Sequence, residues 1–171
     1  MEWKLELVPV PVTDVERAKR FYSEQLGFAV DHDVSVGGRA RIVQLTPPGS
    51  ECSIVIGAGA GVAEVPPGSV QGLQLVVSDI AAARAQLVER GVAASPVLHV
   101  EDGALADGPG GVWNSFVYFA DPDGNGWSLQ EGPGGEGEEP NGDRENLGGE
   151  QENPGGEQEG ATGGREGPGG G

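Results

Sequence analysis

The first dozen residues set apolar side chains on alternate positions. Val8, Val10 and Val12 fall on one side of an extended chain, and Leu5, Leu7 and Pro9 on the other. From Val15 the interval lengthens to three and four residues, so that Val15, Ala18, Tyr22 and Leu26 share one face of a helix. The same change of period recurs further along. Leu73, Leu75 and Val77 alternate with Gly72, Gln74 and Val76, and then Ile80, Ala83 and Leu87 form a stripe. Val12, Thr13, Asp14, Val15 and Ala18 match Val77, Ser78, Asp79, Ile80 and Ala83 position by position, so the chain contains one strand-to-helix unit twice.

Start and stop signals bound both helices. Thr13 and Ser78 are expected to cap the first turns by accepting an orphan backbone N–H, with Thr13 and Glu16 forming a capping box. Gly27 and Gly91 supply the left-handed residue that ends each helix. Three strand patterns follow in each unit, over 28–36, 39–45 and 52–56 in the first and 92–100, 112–120 and 125–130 in the second. Gly37-Gly38 suits a hairpin turn, "PPGS" closes the next connection, and "DPDG" (121–124) has Pro second and Gly fourth, as a type I turn prefers. "GAGAGVAEVPPGS" (57–69) reads as the linker and "EDGALADGPGG" (101–111) as a Gly-rich loop over one end of the second unit. The expected fold is α+β: two tandem βαβββ modules, about 4–57 and 70–131.

Composition changes near Gly132. Residues 132–171 hold sixteen Gly, ten Asp or Glu, two Arg, and only Leu147 and Ala161 as aliphatic side chains, too little apolar area to offset chain entropy. The expectation is one folded domain over 1–131 and a disordered, low-complexity tail over 132–171, whose approximate heptads lack an apolar seam for a coiled coil. Removing the tail balance (2 − 10 = −8) from the net charge of −17 leaves −9 on the domain. So acidic a surface is a poor match for nucleic acid or an anionic membrane, and no run of apolar residues is long enough to span one. With no signal-peptide pattern at the start, a cytoplasmic location is expected. Cys52 is the only cysteine, which rules out an intrachain disulfide, and it reads as a small buried hydrophobe in "CSIVI".

The duplicated βαβββ unit, the helix entries "VTDVERA" and "VSDIAAA", and "DPDGN" before the last strand together resemble the vicinal oxygen chelate superfamily. That group includes glyoxalase I, the bleomycin-resistance proteins, extradiol dioxygenases and fosfomycin-resistance enzymes. The resemblance covers residues 4 to 131. It implies a cupped sheet with helices outside and a small-molecule cavity inside, and homodimers are common in the group. In its metal-dependent members the resemblance implies one ligand from the first and one from the last strand of each module. These positions fall here on Leu7, Ser53 or Val55, Gly72 and Ser128. None is an imidazole or a carboxylate, and the neighbours one pleat away are the amides Gln74 and Gln130. No metal and no other cofactor is therefore expected.

Other candidates were weighed on their chemistry. His32 in "DHD" reads as a solvated strand residue, since consecutive strand side chains alternate faces. His99 is the one candidate general base, although no partner nucleophile is visible. "GAGAG" lacks the Lys and the helix start that a phosphate loop needs. Trp127 is expected in the core. In the strand before it, Asn114, Phe116 and Tyr118 share one face and Trp113, Val117 and Phe119 the other; which face lines the cavity is left open, with Tyr118 and Asn114 the more ligand-like pair. The leading expectation is a metal-free protein binding or sequestering a small organic molecule in the manner of the bleomycin-resistance proteins. Leu7 and Val55, with Leu5, would give apolar contact, and Gln74, Ser128 and Gln130 hydrogen bonds. One rival is a glyoxalase-like lyase or isomerase acting on a small carbonyl substrate with His99 as base. Another is an interaction protein working through its acidic tail.

Overall fold

A computed structural model describes residues 1–37, 40–58 and 65–134. In the first module β1 (Leu7–Pro9), α1 (Val15–Arg20) with a π-helical turn (Phe21–Gln25), β2 (Ala29–Val36), β3 (Ala40–Thr46) and β4 (Ser53–Ala58) follow one another, and the sheet order is β1-β4-β3-β2. The second module runs β5 (Leu73–Val77), α2 (Ile80–Glu89), β6 (Leu98–Glu101), β7 (Ala104–Asp107), β8 (Phe116–Ala120) and β9 (Gly126–Glu131), in the order β5-β9-β8-β6-β7. In both, the first strand lies parallel to the last and the remaining pairs are antiparallel. The repeated βαβββ plan is thus present, enlarged in the second module by one strand.

The extra strand corrects the reading of 101–111 as a loop. Asp102 and Gly103, both at positive φ, make a two-residue turn joining β6 to β7. Conversely, 92–97 is not a strand. Ala94 bridges Phe119, but Pro96 has no amide to donate, and the Ser95 hydroxyl takes the Tyr118 N–H. Residues 112–115 also precede β8 instead of belonging to it, and Gly72, at φ 80, lies before β5. The Gly37-Gly38 turn, the linker and the tail lie partly or wholly outside the described residues. Cys52 is half-buried, more open than expected.

Each helix begins one residue later than the hydroxyl signal suggested. Asp14 and Asp79, in extended conformation, accept from the N–H of Arg17 (2.9 Å) and Ala82 (2.8 Å). A carboxylate at the positive end of a helix is favoured by charge as well as by hydrogen bonding. The Asp14 carboxyl is held below its usual pKa, chiefly by the Arg17 N–H. Thr13 turns instead to Asp123, and Glu16 to Arg41 (2.9 Å), so no capping box forms. Both helices end on the expected glycine, at φ 76 for Gly27 and φ 81 for Gly91. At the second, Val92 N–H bonds Leu87 O and Gly91 N–H bonds Val88 O, the paired bonds of a Schellman cap. The first helix has thirteen steps from cap to glycine (27 − 14) where the second has twelve (91 − 79), and the additional residue is absorbed as the π-helical turn.

The helix-facing sides of the two sheets share one core. Val43, Leu45, Ile54 and Ile56 from the first sheet meet Val117, Phe119, Trp127 and Leu129 from the second, with Ala18, Tyr22, Ile80 and Leu87 from the helices. Trp127 is at its centre, as its alternation with Ser128 predicted, stacked on Phe119 and near Tyr22 and Phe28. A buried polar knot ties the modules through this core. Asp121 accepts from Tyr22 Oη and Asn125 Nδ2, both at 2.7 Å, and from the backbone N–H of Asp123 and Asn125. Tyr22 Oη accepts in turn from Trp127 Nε1 (3.2 Å). Asn125, wholly buried, also donates to Pro11 O (2.9 Å) and accepts from Val70 N–H (3.2 Å). Burial, then the charge of Asp121, holds the Tyr22 phenol far above its usual pKa, so it remains a donor. The helix ends also cap one another: Gln25 Nε2 donates to Arg90 O (3.0 Å) and Arg90 Nη1 reaches Gln25 O (3.4 Å).

Two predictions follow from these contacts. Tyr22→Phe strands the Trp127 indole N–H in the core and leaves Asp121 Oδ2 with the Asn125 amide alone, and chemical denaturation is expected to show a loss of about 1–3 kcal/mol. Asp33 is held well below the usual carboxylate range by bonds from Arg41 and Lys19. As pH falls, the unfolded chain therefore protonates this group first, and its contribution, complete above about pH 4, is lost below it. Asp33→Asn should accordingly lose less Tm than the parent between about pH 5 and pH 3.

Candidate functional site

With the helix-facing sides used in the core, each sheet turns its other side away from it. On the second sheet the register assigns that outward side. Tyr118 pairs with Ser128 and Ser128 with Gln74, while Phe116 pairs with Gln130 and Gln130 with Val76. Leu98 pairs with Phe116, and Val100 with Leu105, extending the same face across β6 and β7. This settles which side of β8 accompanies Ser128: Phe116 and Tyr118 face outward, and Val117 and Phe119 enter the core.

The polar groups here form one cluster. Gln74 Nε2 donates to Gln130 Oε1, Ser128 Oγ reaches Gln74 Oε1 (3.4 Å), and Gln130 Nε2 donates to Trp113 O (2.8 Å). Ser128 is buried beneath its neighbours, whereas Gln74 is exposed. Around the amides lies an apolar floor. The rings of Phe116 and Tyr118 are 6.3 Å apart and inclined by 19°. Val76, Val100, Leu105 and Trp113 are each about half exposed, an unusual share of apolar surface for one face.

Trp113 belongs to this site although alternation placed it on the opposite side. It sits in the turn before β8 at φ 64, a conformation costly for a bulky residue, held by its N–H to Glu131 O (2.7 Å). A Cβ built on Gly132 would lie 2.5 Å from Val76 Cγ1 and 3.3 Å from the Trp113 ring, so glycine there lets the indole approach Val76. The signal available in sequence was "GPGGVWN", whose glycines mark an irregular turn and make strand alternation inapplicable.

The other sequence candidates separate. Asn114 is engaged with the backbone of β6, accepting from Val100 N–H (2.9 Å) and donating to Val100 O (3.1 Å), so its amide is a structural clamp. His99, paired with Ala106, points to the side opposite Leu98 and Phe116, and its Nδ1 lies 3.0 Å from Gly108 O. It is therefore not brought to the outward face. Leu7 and Val55 lie on the first sheet, where Leu7 pairs with Ser53 and Val55 with Gln44. Ser53 Oγ is within hydrogen-bond reach of Thr46 Oγ1 (2.7 Å) and accepts from Gln44 Nε2 (3.1 Å). His32, paired with Gln44, is on that same side and exposed.

Hydroxyls, amides and aliphatic groups thus fill the positions where a divalent ion would need imidazole or carboxylate. The donor set does not fit such an ion, and among the described residues no three His, Cys, Asp or Glu gather to hold one. Nor is any described helix long and apolar enough to cross a membrane.

Comparison with known proteins agrees with this architecture. Residues 4–129 match the Glyoxalase/Bleomycin resistance protein/Dioxygenase superfamily. The chain is similar to the structure of TnmS3, an antibiotic binding protein from Streptomyces sp. CB03234, with 36% identity and a TM-score of 0.60 over 77% of this chain and 97% of that one. A glyoxalase/bleomycin resistance protein from Streptomyces sp. CB03234 shares 38% identity with a TM-score of 0.57, over 75% of this chain and all of that one (100%). YetH, an uncharacterized protein of Bacillus subtilis (strain 168), is 30% identical over 127 residues, 72% of this chain and 94% of its own.

Gln130 links the amide cluster to the Trp113 turn, which gives a local test. In Gln130→Leu the Trp113 amide is expected to exchange with solvent about fivefold faster, from loss of a bond worth ~1 kcal/mol, while the Tyr118 amide keeps its rate.

Proposed function

We infer that this chain, which belongs to the Glyoxalase/Bleomycin resistance protein/Dioxygenase superfamily, binds a small organic molecule on the outward face of its second sheet and sequesters it without a metal. The observation carrying this reading is the makeup of that face. Gln74, Ser128 and Gln130 offer neutral donors and acceptors beside the rings of Phe116, Tyr118 and Trp113, with no carboxylate or imidazole among them. Such a surface recognises shape and a few hydrogen bonds, and the carboxylate that register puts on it, Asp107, lies on the edge strand β7, away from the amide cluster. TnmS3 is described as an antibiotic binding protein, which supports a binding role over turnover. His99, directed away from this face and bonded at Nδ1, gives the lyase reading no base.

The same face supports a homodimer. Half-exposed Val76, Val100, Leu105 and Trp113 form more apolar surface than a lone chain gains by showing to water, and a second copy would enclose the ligand against it.

Native mass spectrometry of the freshly purified full chain, followed by titration with aromatic antibiotics including metal-free bleomycin, tests both statements. The expected results are a dimer mass, no stoichiometric metal, and binding that Tyr118→Ala weakens at least about tenfold, or ~1.4 kcal/mol. Stoichiometric nickel, zinc, iron or manganese that is lost in Gln74→Ala would overturn the metal-free reading. Turnover of a dicarbonyl–thiol adduct would overturn the binding reading.

A further inference from the structure

A cavity of about 390 Å³ opens along the free edge of β5, where the two modules adjoin, and is lined there by Gln74, Leu75, Val76 and Val77. Its inner wall is apolar and buried, formed by Leu87 of α2, Phe119 of β8 and Leu129 of β9, with Leu75 of β5 beside them. The turn at Pro47–Ser50 of the first module closes another side. Its volume lies within the range of about 300–1,000 Å³ typical of small-molecule sites.

Apart from Gln74, which borders both, the polar side chains of this cavity differ from those of the outward face. Exposed Arg90 and Gln86 and half-buried Gln25 stand at its edge, and no Asp or Glu is among the residues lining it. Arg90 makes no ion pair among the described residues. Its Nη1 makes only a long bond to Gln25 O (3.4 Å), and the remaining guanidinium N–H groups are left for a ligand. A cation unpaired among the described residues, beside an apolar wall in a chain of net charge −17, favours an anion that carries its own apolar body. The Gln25 amide holds the Arg90 carbonyl (3.0 Å), which sets the base of the Arg90 side chain at this edge.

We propose that this cavity, which adjoins the outward face only along Gln74 and Val76, is a second binding site for a small apolar monocarboxylate whose chain or ring lies along Leu75, Leu87, Phe119 and Leu129 while its carboxylate pairs with Arg90. Gln86 and Gln25 flank that carboxylate.

The test uses the full chain with decanoate as probe and decanol as its neutral counterpart, followed by calorimetry and by amide shifts in α2 and at Gly49 and Ser50. Decanoate is expected to bind and to shift these amides, and decanol to bind at least about tenfold more weakly. Arg90→Gln should reduce decanoate affinity by at least about tenfold, with Tm reported alongside to show that the variant is folded. Gln86→Trp, which blocks the opening without touching the core, should abolish binding, and Tyr118→Ala on the outward face should leave it unchanged. Absence of decanoate binding, equal affinity for decanol, or binding indifferent to both Arg90→Gln and Gln86→Trp would overturn the proposal. Arg90 and Gln86 lie outside the outward face and Tyr118 outside this cavity, so the variants tell a failure here from a failure of the antibiotic titration.

Discussion

The buried carboxylate of Asp121 is the constraint around which the domain is organised. Four hydrogen bonds converge on it, from the Tyr22 phenol, the Asn125 amide and two backbone N–H groups, and they come from both modules. An ionised group in so apolar a setting is tolerable only when its lone pairs are used, so the positions of Tyr22 and Asn125 are coupled to it. Asn125 passes the constraint on to Pro11 just past β1 and to Val70 before β5. The two strands that open the modules are thereby fixed with respect to the turn that precedes the last strand.

That arrangement determines where ligand-facing surface can exist. Since Tyr22 and Trp127 must meet, the helix-facing sides of both sheets are consumed in one core, and their other sides are left as open sheet surface. Period-two alternation then fixes the rest: with Trp127 and Leu129 inside, Ser128 and Gln130 are outside, and parallel pairing sets Gln74 and Val76 beside them. The cavity at Arg90 arises differently. It occupies the junction between modules, where helix ends that cap each other leave room under the Pro47–Ser50 turn.

Much of this was legible in the sequence because period, glycine caps and the repeated helix entries are local signals. The apolar stripes, Gly27 and Gly91, and the burial of Trp127 needed no tertiary information. Competition between partners was harder to read. Thr13 is a good cap by propensity, yet Asp14 outcompetes it with a charge and Asp123 claims its hydroxyl. Asn114 looked free for a ligand because its true partner, the backbone of Val100, comes from a strand whose register the sequence did not determine. Trp113 was misplaced because alternation was extended through a turn in which it has left-handed backbone. The "DG" of 102–103 was a hairpin signal in plain view, hidden by the glycines after it.

The π-helical turn has a further meaning for a chain made of two similar units. A residue inserted into a connecting loop would leave both halves free to drift apart in sequence while staying interchangeable in shape. Here the surplus residue lies inside a helix, in the same turn that carries Tyr22, and α2 has no equivalent distortion. The halves are therefore no longer equivalent building blocks: the first supplies the phenol and the second the carboxylate and indole that receive it.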